Sequence, residues 1–287
     1  MTRIAVLGAG TMGCGIAELF AMSEHNVTLV DVSEGALSAG MDRIRSSVQR
    51  AQDREGHPND VDADAVHARI EPTTELASVR DCTVVIESVT EDLTVKSETL
   101  ARVSEMVDRG TLIASNTSGL SVTEIGNTVD APERFVGLHF FNPAPRMPLV
   151  EVVRALRSSD DEVERAVALI RSLGKETVVV DDRPGFLVNR LLMPYLNQCI
   201  QEYDDGLASM DDIDAAVRLG LGYPMGPFEL LDLIGLDTHE KATRTAYEQT
   251  ADPHLAPPPL LQRMVAAGWY GRKSERGFRS NEVSRHD

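Results

Sequence analysis

Residues 4–15 read IAVLGAGTMGCG, an apolar run followed by three glycines, Gly8, Gly10 and Gly13, in the spacing G-x-G-x-x-G. Few features constrain a fold as tightly, because this spacing has a physical reading only where a strand turns sharply into a helix. The first glycine permits the tight turn, the second lets backbone approach a pyrophosphate, and the third lets helix and strand pack closely. Here the glycines follow an apolar run and open a stretch, 12–21, whose apolar residues recur at helical spacing. The required context is met, and Thr11 and Met12, lying between the second and third glycines, join them as expected contacts of the bound group.

The next strand-like run, VTLVD, ends in Asp31, close to the ~20 residues expected after such a fingerprint. A carboxylate there accepts hydrogen bonds from ribose hydroxyls and repels a 2′-phosphate, which favours NAD over NADP. The competing reading is a glycine turn with a strand-end Asp that merely caps a helix. Motif, context and Asp31 together weigh against it, so the N-terminal part is expected to be a Rossmann-type NAD-binding domain.

Further apolar runs at 3–7, 27–30, 83–87, 112–115, 135–141 and 177–180 alternate with helix-like stretches such as 12–21 and 36–51. Alternation of this kind implies an α/β, doubly wound and mostly parallel sheet with helices on both faces. The polar segment 54–64 (REGHPNDVDAD) reads as a loop. After Asp181 the pattern changes: Arg183-Pro184-Gly185 punctuates the chain, and helices are expected at 187–203, 210–219, 227–249 and 259–267. A length of 287 residues suits two domains. The boundary is placed at 182, with 1–182 the Rossmann domain and 183–287 an all-α domain.

Composition narrows the partners. No apolar run approaches the ~20 residues of a membrane helix, and the N-terminus runs directly into a strand rather than a secretory signal. Cys14, Cys82 and Cys199 have neither metal-like spacing nor a disulfide framework, so they read as buried thiols of a cytoplasmic protein without a metal. A formal charge of −17 argues against nucleic acid and anionic membranes as partners. Only four of the 28 basic residues are lysines: Lys96, Lys175, Lys241 and Lys273.

The chemistry concentrates in LHFFNPAPRMPLVEVV, where His139 lies in a strand-like run and Glu151 follows a proline-rich turn at 143–148. Imidazole takes and returns protons around neutrality, and a carboxylate beside it fixes its tautomer and offsets its charge. From this segment alone, a core histidine with a solvent-facing Glu is an equal reading. ESVTEDLTVK (87–96), SNTS (115–118) and HFFN (139–142) all fall at expected C-terminal strand ends, where doubly wound sheets place ligands. Taken singly, Asn116 and Ser118 read as turn residues, Asn189 as a helix-surface residue, and Lys96 as a partner of Glu91 or Asp92 on a helix face.

Taken jointly, GAGTMGCGIA, SNTSGLS, GLHFFNPAPRMPLVEVV, RPGFLVNRLL and GLGYPMGPFELLDLIGLD resemble the 3-hydroxyacyl-CoA dehydrogenase family, particularly its bacterial 3-hydroxybutyryl-CoA branch, from about Arg3 to Phe278. The resemblance implies His139 as general base and Glu151 as its electrostatic partner. Ser118 and Asn189 would hydrogen-bond the reacting oxygen of the substrate. Glu91 and Lys96 would contact the nicotinamide half of the cofactor, Asn116 and Asn142 would line the same site, and Lys273 would reach it. Ser47 and Arg54 align with positions that meet CoA phosphates. The implied fold is a Rossmann domain followed by a helical domain that forms a homodimer interface, and the implied reaction is reversible, NAD-linked oxidation of a 3-hydroxyacyl thioester.

Three positions depart from the family pattern. Gly119 replaces the second serine of the usual NTSS, Pro148 stands where a lysine usually precedes the LVEV run, and Arg54 is flanked by Asp53 and Glu55. One arginine between two acids is poor provision for a phosphate. Substrates carried by an acyl carrier protein, or a sugar acid such as L-gulonate, therefore stay open beside CoA esters. A non-catalytic, crystallin-like NAD-binding protein is a third reading, and intact His139, Glu151, Ser118 and Asn189 weigh against it.

Overall fold

The computed structural model describes residues 3–52 and 62–279, and the chain divides into two compact units, 1–183 and 184–287. Unit 1 runs β1 (Arg3–Leu7), α1 (Thr11–Met22), β2 (Asn26–Val30), α2 (Glu34–Gln52), α3 (Ala63–Ala68), β3 (Ile70–Thr73), β4 (Val84–Glu87), α4 (Leu93–Met106), β5 (Leu112–Ser115), α5 (Val122–Gly126), β6 (Phe135–Phe140), β7 (Leu149–Arg154), α6 (Asp160–Ser172) and β8 (Glu176–Asp181). The strands form one sheet in the order β3-β2-β1-β4-β5-β6-β7-β8. β1 to β6 are mutually parallel, β7 runs antiparallel to β6, and β8 is parallel to β7. The order 3-2-1-4-5-6 is that of a doubly wound nucleotide-binding sheet.

The inner strands are apolar because they are covered on both faces: every residue of β4, β5 and β6 is buried. One core joins β1, β2, β6 and β7 to α1, α2 and α6 through residues such as Val6, Phe20, Leu29, Ile44, Leu138 and Ile170. The C-terminal ends of β1, β4, β5 and β6 lie along one sheet edge, and the loops leaving that edge carry most of the segments singled out above. Among the described residues no helix is long and apolar enough to cross a membrane.

Two strands lie outside the expected set. β3 (IEPT) is four residues long and contains Pro72, which an edge strand tolerates because its lost N–H faces no partner. β7 returns after the proline turn to pair with β6. The loop expected at 54–64 is shorter than foreseen. Ala63 opens α3, Asp62 caps it by accepting from the Asp64 N–H, and Asp64 is helical; residues 53–61 lie outside the described residues.

In unit 2 the described residues form α7 (Val188–Asp204), α8 (Met210–Ala215) continuing into a π-helical turn at Ala216–Gly220, α9 (Pro227–Ile234), α10 (Leu236–Thr250) and α11 (Pro259–Ala266). The single helix expected at 227–249 is two. Gly235, at φ +98°, adopts a conformation closed to most side chains, ends α9 and starts α10. Leu196, Ile200, Phe228, Leu231, Leu236, Leu261 and Phe278 form the core of this unit. The buried carboxylates of Asp214 and Asp232 clasp the C-terminal strap: Asp232 accepts from the Phe278 and Arg279 amides, and Asp214 from the Arg279 guanidinium.

Candidate active site

The loop after β1 is built by close approach. Gly8 has φ +100°, and a Cβ there would stand 2.5 Å from the Ser88 carbonyl oxygen. A Cβ on Gly13 would stand 1.9 Å from the Gly8 carbonyl oxygen, so only glycine lets α1 start this close to the strand. Gly10 differs: a Cβ on it would meet no protein atom within 4 Å, which leaves an open cradle over the start of α1. No side chain caps that helix and no acid lies in its first turn. The first-turn N–H groups and the positive end of the helix dipole are therefore offered to an anion. This arrangement fits the phosphates of a dinucleotide.

Asp31 sits beside the cradle, with Oδ2 accepting from the Ala9 amide at 2.8 Å and Oδ1 from the Ser33 amide at 3.0 Å. A carboxylate has about four acceptor positions, so two remain for ribose hydroxyls. Val32, next in the chain, is 98 % exposed. It is an apolar platform of the kind an aromatic base covers, and its place just after the strand-end acid is the only sequence signal for it.

At the end of β4, Glu87 is fully buried and gathers three donors. Its Oε1 accepts from the Val89 amide at 2.7 Å and Lys96 Nζ at 2.8 Å, and its Oε2 from the Ser115 hydroxyl at 2.5 Å. Lys96 is also buried and reaches Glu91 Oε2 at 3.2 Å. Of the two partners expected for Lys96, Glu91 is met, but from a buried position rather than an exposed helix face; Asp92 instead caps α4 through the Val95 amide. Glu91 Oε1 in turn accepts from Thr117 Oγ1 at 2.6 Å, the Ser118 amide at 2.9 Å and the Gly119 amide at 3.3 Å. Burial opposes charge on Glu91, but the Lys96 ammonium and the Thr117 and Ser118 hydrogen bonds outweigh it and hold the carboxyl below its ordinary range. Ser118 itself is exposed, with its hydroxyl 3.4 Å from the same Glu91 oxygen.

Asn116 ties neighbouring strand ends together, donating to Ser88 Oγ at 3.3 Å and accepting from the Phe140 amide at 2.9 Å. One residue before Phe140, His139 stands directly opposite Glu151 in the β6–β7 register. Their side chains share a face, and His139 Nδ1 lies 2.6 Å from Glu151 Oε2 with both residues buried. Donation of Nδ1–H to the carboxylate puts the basic lone pair of the ring at Nε2. The Phe141 ring packs on the imidazole at 4.6 Å between centroids. Asn142 is exposed at the start of the turn.

Lys175 holds that turn by donating to the carbonyls of Pro145 at 2.8 Å and Met147 at 2.9 Å. Burial lowers its pKa. The scarcity of lysine was the one sequence signal pointing to it. Ser47 lies on α2 against α1, its hydroxyl donating to Glu18 Oε1 at 2.9 Å. Burial pushes that acid up to about 7 despite the Ser47 hydrogen bond and Arg50. Arg54 lies outside the described residues. Unit 2 carries Asn189, half-buried in the first turn of α7, and Lys273, whose Nζ donates to Asp237 at 2.5 Å. His139, Glu151, Asn116, Ser118, Glu91 and Lys96 thus belong to one connected edge of unit 1, while Ser47 is part of a separate cluster with Glu18.

A glycine cradle at the head of a doubly wound sheet, with a buried imidazole–carboxylate pair along the same edge, defines a nucleotide-dependent oxidoreductase. Residues 3–183 match the NAD binding domain of 3-hydroxyacyl-CoA dehydrogenase, and residues 185–281 match its C-terminal domain. The chain is 42 % identical over 278 residues to a 3-hydroxybutyryl-CoA dehydrogenase of Mycobacterium tuberculosis, covering 96 % of this chain and 97 % of that one. It is 41 % identical over 282 residues to the human mitochondrial hydroxyacyl-coenzyme A dehydrogenase, covering 96 % and 90 %. The crystal structure of (S)-3-hydroxybutyryl-CoA dehydrogenase from Ralstonia eutropha superposes with a TM-score of 0.92 at 39 % identity, over 97 % of this chain and 98 % of that one. The chain belongs to the 3-hydroxyacyl-CoA dehydrogenase family, and is an oxidoreductase that uses NAD.

Proposed function

We propose that the protein oxidises a 3-hydroxyacyl thioester of the 3-hydroxybutyryl-CoA kind to the 3-keto thioester, reversibly, as a cytoplasmic homodimer. The observation that carries this reading is the buried His139–Glu151 pair at 2.6 Å. Bound NAD⁺ supplies the nicotinamide ring that accepts the hydride of C3. His139 Nε2 removes the proton of the 3-hydroxyl, and Glu151 keeps Nδ1–H and offsets the imidazolium that forms. Ser118 Oγ hydrogen-bonds the reacting oxygen beside Nε2, and Asn189 is assigned to the substrate. In the reverse direction His139 returns the proton as the alkoxide forms.

The cradle at Gly8, Gly10, Thr11, Met12 and Gly13 holds the pyrophosphate, and Asp31 the ribose. Glu91, Lys96, Asn116, Asn142 and Lys273 serve the nicotinamide half. Ser47 and Arg54 meet the phosphates of CoA, for which Ser47 must turn from Glu18. We assign cofactor binding to 1–182 and dimerisation to 183–287. In support, Leu191, Leu219, Leu221, Tyr223 and Leu233 of the second unit are all at least half exposed, apolar side chains of the kind a partner surface covers.

NADH formation from 3-hydroxybutyryl-CoA, a hydroxyacyl–carrier-protein conjugate and L-gulonate tests the substrate. Turnover of either of the last two, with none of the CoA ester, overturns the reading. Light scattering on the eluting protein tests the dimer, and a monomer mass refutes it.

A further inference from the structure

Glu87 has no part in the chemistry just described, yet it is a fully buried carboxylate along this edge with donors on both oxygens. It is fully buried at the end of a central strand and accepts from Val89, Lys96 and Ser115. An isolated carboxylate in such a place is strongly disfavoured, so its partners must be held. The most consequential is Lys96, which has a donor on Glu87 at 2.8 Å and another on Glu91 at 3.2 Å. Among the described residues, Glu91 alone accepts from the amides of both Ser118 and Gly119.

A continuous series of charge-assisted bonds therefore leads from the floor of the sheet to the loop bearing Ser118: Glu87 to Lys96, Lys96 to Glu91, Glu91 to the Thr117–Gly119 backbone. The second oxygen of Glu87 adds a shorter route through Ser115, three residues before Ser118. Without the Glu87 charge, Lys96 is drawn more strongly to Glu91 Oε2. The Glu91 carboxylate then turns toward the ammonium and carries Oε1, which holds Thr117, Ser118 and Gly119, away from the loop.

We propose that Glu87 is a positioning residue for the reaction, setting through Lys96 and Glu91 the conformation of the 117–119 backbone and so the placement of the Ser118 hydroxyl. The proposal rests on the reading of Ser118 as the group that meets the reacting oxygen. It separates Glu87 from an ordinary buried ion-pair partner, whose loss lowers stability without a directed effect on one loop.

The test is Glu87→Gln, which preserves shape and can still accept from Lys96 and Val89. Two measurements are made on full-length protein. Amide hydrogen exchange across 115–120, without substrate, is expected to rise at least tenfold, while exchange in β1 and β6 is unchanged. In 3-hydroxybutyryl-CoA oxidation at saturating NAD⁺, kcat is expected to fall about 10- to 100-fold with KM for the CoA ester within threefold. In a Ser118→Ala background the same substitution should cost less than threefold, because the hydroxyl it positions is gone.

Unchanged exchange at 115–120 overturns the proposal whatever the turnover. An undiminished kcat loss in the Ser118→Ala background also overturns it, because Glu87 then acts by another route. Wild-type protein that turns over no CoA ester refutes the proposed function instead, and the exchange result still decides the positioning role.

Discussion

Replacing Glu151 with Gln isolates what its charge does, because the substitution keeps volume and an acceptor for Nδ1–H. The side chain is fully buried, and its Oε2 lies 2.6 Å from His139 Nδ1. At a 4 Å charge separation and an effective dielectric of about 20, imidazolium and carboxylate attract by about 4 kcal/mol. Hydrogen bonds to charged groups contribute about 1.5–3 kcal/mol net. The imidazolium exists only once the substrate proton has moved, so this difference falls on the transition state and not on substrate binding. At about 1.4 kcal/mol per decade, 1.5–3 kcal/mol becomes a loss of roughly 10- to 140-fold in kcat. The assay is steady-state NADH formation, with NADH binding by fluorescence and thermal unfolding as controls for an intact fold. A kcat within about threefold of the parent, or a change confined to KM, would refute the argument that Glu151 acts through charge on His139.

His139→Gln should remove turnover by at least ~10²-fold, the lower end for a lost general base, while NADH still binds; surviving rates would mean another base. Gly10→Ala and Gly13→Ala should part company, because a Cβ on Gly10 meets no protein atom whereas on Gly13 it strikes the Gly8 carbonyl at 1.9 Å. NADH affinity should fall in both, but only Gly13→Ala should lose about 1–3 kcal/mol in thermal unfolding. Glu18, raised from 4.5 to about 7, adds stability that is fully present below about pH 4.5 and is lost as pH climbs through about 7. Glu18→Gln should therefore remove about 2–3 kcal/mol of the decline between about pH 5 and pH 8.5 in urea unfolding, and equal slopes for both proteins would show that Glu18 ionises freely.

How much of this was legible in the chain varies with the range of the interaction. The β1–α1 turn was readable because its glycines are a local steric demand, and the parallel strands because burial on both faces writes them as apolar runs. β3 and β7 were not, since Pro72 and the proline turn before Leu149 mask strands whose pairing is decided by neighbours. His139 and Glu151 could be named, but their facing each other depends on the β6–β7 register, which pairs residues 12 apart. Glu87 opens the segment 87–96 but carries no signal of its own role, because it closes an apolar run like any strand-end residue. For Lys96, helical proximity points to Glu91 or Asp92; Glu91 is met at 3.2 Å, and the nearer carboxylate, Glu87 at 2.8 Å, lies nine positions back across a loop.

The four lysines among 28 basic residues can now be weighed individually. Lys96, Lys175 and Lys273 each fasten one segment of the molecule: the β4–α4 loop, the turn between His139 and Glu151, and the C-terminal strap at Asp237. Lys241 on α10 is exposed. A compact ammonium with three rotatable donors suits a narrow buried site where acceptors converge, whereas a guanidinium is planar, larger and forked. Lys96 meets this description most fully, being 1 % exposed with Glu87, Glu91 and the Val89 carbonyl around Nζ. Lys96→Arg keeps the charge and should still destabilise by about 1–3 kcal/mol through overpacking, a fall of several degrees in midpoint at ~2–4 °C per kcal/mol for a chain near this size. Lys241→Arg should leave the midpoint unchanged. Equal midpoints for the two variants would show that charge alone matters at Lys96, and that its retention in so arginine-rich a chain has no steric cause.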